Sequence, residues 1–169
     1  MINEKIPTVS ADFLNNINMS IPFMVWARPG NGTLHHVMSH FDSSAYHVHR
    51  IITPQVSTAD VGFIPVLLET GVELKEADWL TKLNTIREVE GKKIVLIFDD
   101  VSSATPSGAE VFGNAVLHRE TMGFKLAEGD IVVGMGLLDP NGNPFNSPIP
   151  RLIYNHLAHY AVDFKLEAA

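Results

Sequence analysis

Three groups of residues in this chain have the types and spacing to do chemistry. The first is the glycine loop Ala27-Arg-Pro-Gly-Asn-Gly-Thr-Leu34, set between a short apolar run and a segment of helical spacing. Strand, glycine loop and helix is the layout that turns backbone N–H groups and a helix N-terminus onto an anion. The phosphate-binding pattern is G-x-x-x-x-G-K-[ST]. Here Gly32 fits, but Ala27 stands at the first glycine, Thr33 at the lysine and Leu34 at the hydroxyl that would hold Mg²⁺. A one-residue deletion would place Thr33 at the hydroxyl position, yet the lysine is absent in either register. That lysine offsets charge on the β- and γ-phosphates, so its loss weakens both nucleotide affinity and transfer. Arg28 offers a cation from another direction; on this window alone, a Pro/Gly turn is the simpler reading.

The second group is Asp99-Asp100, directly after the apolar run Lys93-Ile-Val-Leu-Ile-Phe98. Such a pair can hold a metal with one acid and polarise water with the other, or it can cap a turn. The third is a set of five histidines, His35, His36, His40, His47 and His49. His36 and His40 share one helix face, and His47 and His49 share one strand face. Those four could assemble a zinc or nickel site. The plainer alternative is solvated or hydrogen-bonded histidines, since Asp42 is the one nearby carboxylate. No G-x-S-x-G elbow is present, and zero cysteines exclude disulfides, thiolate nucleophiles and thiolate metal sites.

These groups need a scaffold, and the hydropathy pattern supplies one. Short buried strands are expected over residues 22–26, 46–52, 93–98, 131–133 and 159–164. Helices are expected over 34–40, after Pro106 to about Arg119, over 150–156, and through Trp79, Leu80, Leu83 and Ile86. A short helix after Ser10, a hairpin arm over 121–126 and a turn at Asp139-Pro-Asn-Gly142 complete the reading, and residues 53–75 read as irregular. Trp26 and Trp79 read as core or oligomer packing. Alternating strands and helices predict an α/β fold, a three-layer sandwich around a five-stranded, mainly parallel sheet.

The 169 residues, 46% hydrophobic, make one domain that should bury roughly 70% of its unfolded surface. Only 18% are charged, below the ~25% typical of soluble domains, which suits a surface partly covered by a partner. A net charge of −7 argues against nonspecific nucleic-acid or anionic-membrane binding. No apolar run approaches the ~20 residues of a membrane span, and the first residues carry no signal-peptide pattern. A cytoplasmic location is therefore expected.

Taken in order, the windows resemble the nucleotide-binding core of AAA+ ATPases, most similar to the MoxR-type branch. Ile21 to Gly32 resembles the family's first strand and phosphate loop. Thr58-Ala-Asp-Val-Gly-Phe-Ile-Pro65 resembles its Asp-x-x-Gly-x-Pro element, followed by Asp78-Trp-Leu80. Ile94 to Val101 and Ala104-Thr-Pro106 resemble its Walker B strand and the following turn. Leu117 to Leu126 with Glu128-Gly129 resembles its leucine–acid–arginine run and hairpin. Ser147-Pro-Ile-Pro150 and Asn155-His-Leu-Ala-His159 resemble its closing proline motif and asparagine–arginine–phenylalanine signature. The resemblance spans about residues 20–164 and implies one P-loop NTPase (AAA+)-like core over residues 1–169.

The departures fall on the chemistry. The resemblance puts Thr33 at the Walker A lysine, Leu137 near the sensor asparagine, His156 at the arginine finger and Asp100 at the Walker B glutamate. Asp99 matches the metal-holding acid, and Arg119 or Arg151 would be fallback cations. With Ala169 as the last residue, no helical lid domain is expected. The resemblance thus implies a catalytically inactive pseudo-ATPase without a required cofactor, acting as an interaction or assembly factor. Its partner would be an active AAA+ ATPase or a second copy, and such a core fits a viral or mobile-element origin. One alternative is an ATP- or ADP-binding, Mg²⁺-assisted protein that does not hydrolyse, using Gly30, Asn31, Gly32, Thr33, Asp99 and Asp100. The other is a metal-binding protein built on His36, His40, His47 and His49.

Overall fold

Apolar runs too short to be helices pair here into a parallel sheet, and the amphipathic segments between them cover both of its faces. The computed structural model describes residues 6–57, 63–145 and 149–162. In chain order the elements are β1 (Phe23–Ala27), α1 (Thr33–His40), β2 (Tyr46–Ile52), β3 (Phe63–Leu68), β4 (Gly71–Glu76), α2 (Asp78–Glu90) and β5 (Lys93–Asp99). They continue with α3 (Pro106–His118), β6 (Glu120–Thr121), β7 (Phe124–Lys125), β8 (Ile131–Leu137), α4 (Arg151–Tyr154) and β9 (Ala158–Val162). The main sheet has five strands in the order β2-β5-β8-β1-β9, and every neighbouring pair is parallel. This is the α/β architecture that the hydropathy pattern predicts.

Strand alternation divides the core in two. Met24, Trp26, Leu96 and Phe98 pack on one face with Leu80, Leu83 and Ile86 of α2 and Phe112 of α3. Phe23, Val25, Val95 and Ile97 pack on the other with Val37 of α1 and Phe41. β1 is buried along its whole length, as a central parallel strand covered on both sides must be. Its large side chains lie across glycines of β8. A Cβ at Gly134 would sit 2.2 Å from the Met24 sulfur, and one at Gly136 2.5 Å from the Trp26 ring. The Trp26 indole donates a 3.1 Å hydrogen bond to His159 Nδ1, and His159 Nε2 lies 3.0 Å from the Tyr154 carbonyl oxygen. The two contacts together fix a neutral ring with its proton on Nε2, and burial pushes the His159 pKa down.

A second set of contacts ties α2 to the sheet. Asp130 is 3% exposed; its carboxylate accepts the Ile94 and Ala127 N–H groups at 2.8 Å each and pairs with Arg87 of α2. The Arg87 guanidinium also donates to the Lys125 carbonyl at 3.0 Å and lies 4.4 Å from the Phe124 ring centroid. Arg119 donates to the carbonyls of Ala127 and Asp130 at 2.9 and 3.0 Å.

Several expectations need correction. Residues 53–75 are not irregular: β3 and β4 form an antiparallel hairpin that pairs Leu67 with Val72. Alternation of Val72 and Leu74 with Glu73 and Lys75 was the signal; the breakers Gly62, Pro65 and Gly71 obscured it. The helix expected after Pro106 is α3, which buries Ala109, Phe112, Ala115 and Val116. β8 extends to Leu137, and α4 covers only four residues. The segment after Ser10 is a 3-10 turn, Phe13–Asn15. Most of the Thr58–Pro65 element, part of the Ser147–Pro150 motif and residues 163–164 lie outside the described residues.

Candidate functional site

Ligands of open parallel sheets bind beyond the carboxyl ends of the strands. A cleft of about 360 Å³ opens there, beyond β1, β5 and β8. It is lined by the loop Ala27–Gly32, by Thr33, Leu34 and His35 of α1, by Asp99 and Asp100, and by Met135, Gly136 and Leu137 of β8. The six residues of the glycine loop and acid pair, distant in sequence, therefore share one cavity. His35 joins them; its place in the histidine group concealed this role.

The loop turns through Gly30 (φ +74°) and Gly32 (φ +81°), left-handed conformations that glycine adopts at little cost. Gly32 leads into α1 without a side-chain cap. The first N–H of the helix, that of Thr33, is met by Asn31 instead. Its Oδ1 accepts from the Thr33 N–H at 3.1 Å and from the Thr33 hydroxyl at 2.6 Å. Its Nδ2 donates to the Val162 carbonyl at 3.3 Å, which ties the loop to β9. Both residues are buried.

Asp99 ends β5, and its side chain shares the α1 face of the sheet with Arg50 of β2. The parallel register pairs Arg50 with Ile97 and Ile52 with Asp99, so the two charged side chains are diagonal neighbours. Arg50 Nε donates to Asp99 Oδ2 at 2.9 Å, and Nη2 donates to the same oxygen. The Thr53 hydroxyl lies 2.8 Å from the carbonyl oxygens of both Asp99 and Asp100. Asp100 has φ +53°, and its Oδ1 accepts the Ser103 hydroxyl at 2.9 Å across the turn that follows.

The opposite wall is apolar where the resemblance put a sensor asparagine. Leu137 occupies that position, and its N–H donates to the Ser102 hydroxyl at 2.8 Å. Arg28 lines the cleft and donates to the Pro140 carbonyl at 3.1 Å. Neither fallback cation borders the cavity: Arg119 serves the β7–β8 connection, and Arg151 is exposed on α4. His156, also exposed, has Nδ1 2.9 Å from the Leu152 carbonyl oxygen.

The four-histidine site is not assembled. Tyr46 and Val48 of β2 pack on the α1 side of the sheet, while Ile51 packs on the α2 side. Alternation then sends His47 and His49 toward α2 and away from His36 and His40. His49 stacks on Trp79 of α2, with centroids 5.8 Å apart. Burial lowers its pKa, with a smaller push from His47. His47 is lowered by burial and then by Lys82 and Lys92. His36 Nε2 lies 2.8 Å from the Ala11 carbonyl oxygen, and His40 is lowered by burial and then by His36. Among the described residues, no three His, Cys, Asp or Glu side chains converge as metal ligands.

No protein-family model matches the sequence, and no curated protein does. Solved structures do match the fold. A candidate ATPase from Cytophaga hutchinsonii superposes with a TM-score of 0.54 at 12% identity, over 93% of this chain and 46% of that one. A full-length MCM homolog from Methanopyrus kandleri gives 0.50 at 13% identity, over 86% of this chain and 30% of that one. The chain thus spans less than half the length of either. At such identities the likeness establishes the fold alone, an α/β fold around a five-stranded parallel sheet that the chain shares with these two proteins. No described helix is long and apolar enough to cross a membrane.

Proposed function

We propose that this chain is a non-hydrolysing AAA+-type core that serves as a protein-interaction or assembly factor. The observation that carries the reading is the state of the cleft's polar groups. An Mg²⁺–nucleotide requires a lysine, open loop amides and an available metal-holding carboxylate. Here Thr33 stands at the lysine position, its N–H and hydroxyl are turned onto Asn31, and Asp99 is paired with Arg50. The donor set does not fit that ligand. Support for an interaction role comes from the β3–β4 hairpin, a two-stranded sheet separate from the main one. Leu67 is 84% exposed and Val72 65% exposed, and they face each other across the strands. Adjacent apolar side chains left in water fit a surface that a partner covers.

Purified protein with Mg²⁺ and ATP should release phosphate no faster than buffer. Turnover that disappears in Asp99→Ala would overturn the reading. Calorimetry with ADP and ATP separates the alternative of a binder without hydrolysis, which the cavity volume and the two left-handed glycines favour. That alternative predicts heat at millimolar nucleotide; the reading proposed here predicts none. Affinity capture with wild-type and Leu67→Asp protein tests the interaction role, which requires partners held by the first and lost by the second.

A further inference from the structure

We infer that Arg50 is the built-in counter-cation of Asp99, and that it closes this cleft to divalent metal ions. The inference rests on the non-hydrolysing reading and names the residue that enforces it on the metal side. A hard divalent cation binds by gathering oxygen ligands, carboxylates foremost. Asp99 is the side chain placed for that task, at the end of β5 on the cleft wall. Its Oδ2 already receives two N–H groups from one guanidinium. Asp99 makes no other side-chain hydrogen bond among the described residues. An approaching dication meets a fixed positive charge at Oδ2 and finds only Oδ1 open on this side chain, where a hard cation gathers several oxygens.

Three local features hold the pair together. The register of β2 on β5 sets Arg50 diagonally across from Asp99 on one face. The Thr53 hydroxyl holds the Asp99 and Asp100 carbonyls, fixing the backbone from which the acid projects. The Asp99 side chain retains only 17% exposure, against 42% for Arg50. The carboxylate is thus the shielded partner and the guanidinium the removable one. Asp100 projects from a left-handed residue beyond the strand end, and its Oδ1 already holds the Ser103 hydroxyl at 2.9 Å.

Mn²⁺ alone is the probe, read by the loss of its free-ion paramagnetic signal and by the shift of the thermal midpoint. Wild-type protein and Asp99→Asn should respond alike, with no Asp99-dependent binding. Arg50→Gln should bind Mn²⁺ at least ~10-fold more tightly than wild type. The double variant Arg50→Gln/Asp99→Asn should lose that gain, and Arg50→Lys should resemble wild type because the charge remains. Wild-type binding that Asp99→Asn abolishes would overturn the inference, and so would an Arg50→Gln protein that ignores Mn²⁺. Should Arg50→Gln fail to fold, the wild-type and Asp99→Asn comparison still decides. Phosphate release from ATP by the wild type refutes the earlier reading. A wild type without turnover beside an indifferent Arg50→Gln refutes only the role of Arg50.

Discussion

Two arginine–aspartate pairs flank β5, and the same chemical groups serve different ends in them. Asp130 is sealed: both carboxylate oxygens are engaged, by two backbone N–H groups and by Arg87, and its side chain is 2% exposed. Asp99 is bonded through one oxygen to one partner, at the mouth of a cavity. The first pair joins α2, β5 and the β7–β8 connection, so its removal would disturb the core. The second joins two strands already hydrogen-bonded to each other, so it adds little to the fold and much to the character of the cleft. Burial and the number of donors, rather than residue type, separate a structural ion pair from one that governs a site.

The sharpest way to break this contrast is Asp130→Ala. It strands Arg87 and two backbone donors, and should destabilise the protein by about 3–5 kcal/mol in urea unfolding. Arg50→Gln, at a half-open pair, should cost under about 1 kcal/mol in the same assay. Equal losses would erase the distinction.

Acidification sharpens it in another way. His49 and His159 have folded pKa values below their unfolded value of ~6.5. As pH falls below ~6.5 the unfolded chain takes up protons that the folded chain resists, so the stability present above ~6.5 is lost as pH drops toward the folded values. The thermal midpoint should fall between pH 7 and 5, and less steeply in His159→Gln. The smallest expected effect is at Glu90, which pairs with Lys92 on the surface. Glu90→Gln should leave the urea midpoint unchanged, and a clear drop there would show that exposed pairs also count in this fold.

Much of the scaffold was legible because its signals are local. The run Lys93–Phe98 and the spacing of Leu80, Leu83 and Ile86 declare a buried strand and a one-faced helix without help from distant residues. Val72 and Leu74 carried an equally local alternation, but the glycines and proline around them argued the other way. At the cleft, Asp99 and the Gly30–Gly32 loop could be picked out from their places after apolar runs. Arg50 could not. It sits mid-strand among histidines, and its role depends on the register between strands separated by a hairpin and a helix. Asp130 could not be picked out for the same reason, since its partner Arg87 lies 43 residues away. The misplaced histidine site has a related cause: helix and strand spacing each put two rings on one face, but neither says which side of the sheet that face is on.

The position of β1 has a consequence for the order in which the molecule can be made. β1 leaves the ribosome first among the sheet strands, yet its neighbours are β8 and β9, which leave last. Roughly 110 residues separate its end from that of β8, or about 5–20 s of synthesis. Until then Phe23, Met24, Val25 and Trp26, among the most deeply buried side chains of the finished protein, have no strand to pair with. Nascent chains stalled before residue 131 should therefore depend on chaperones that shield this segment, and chains released beyond residue 162 should not.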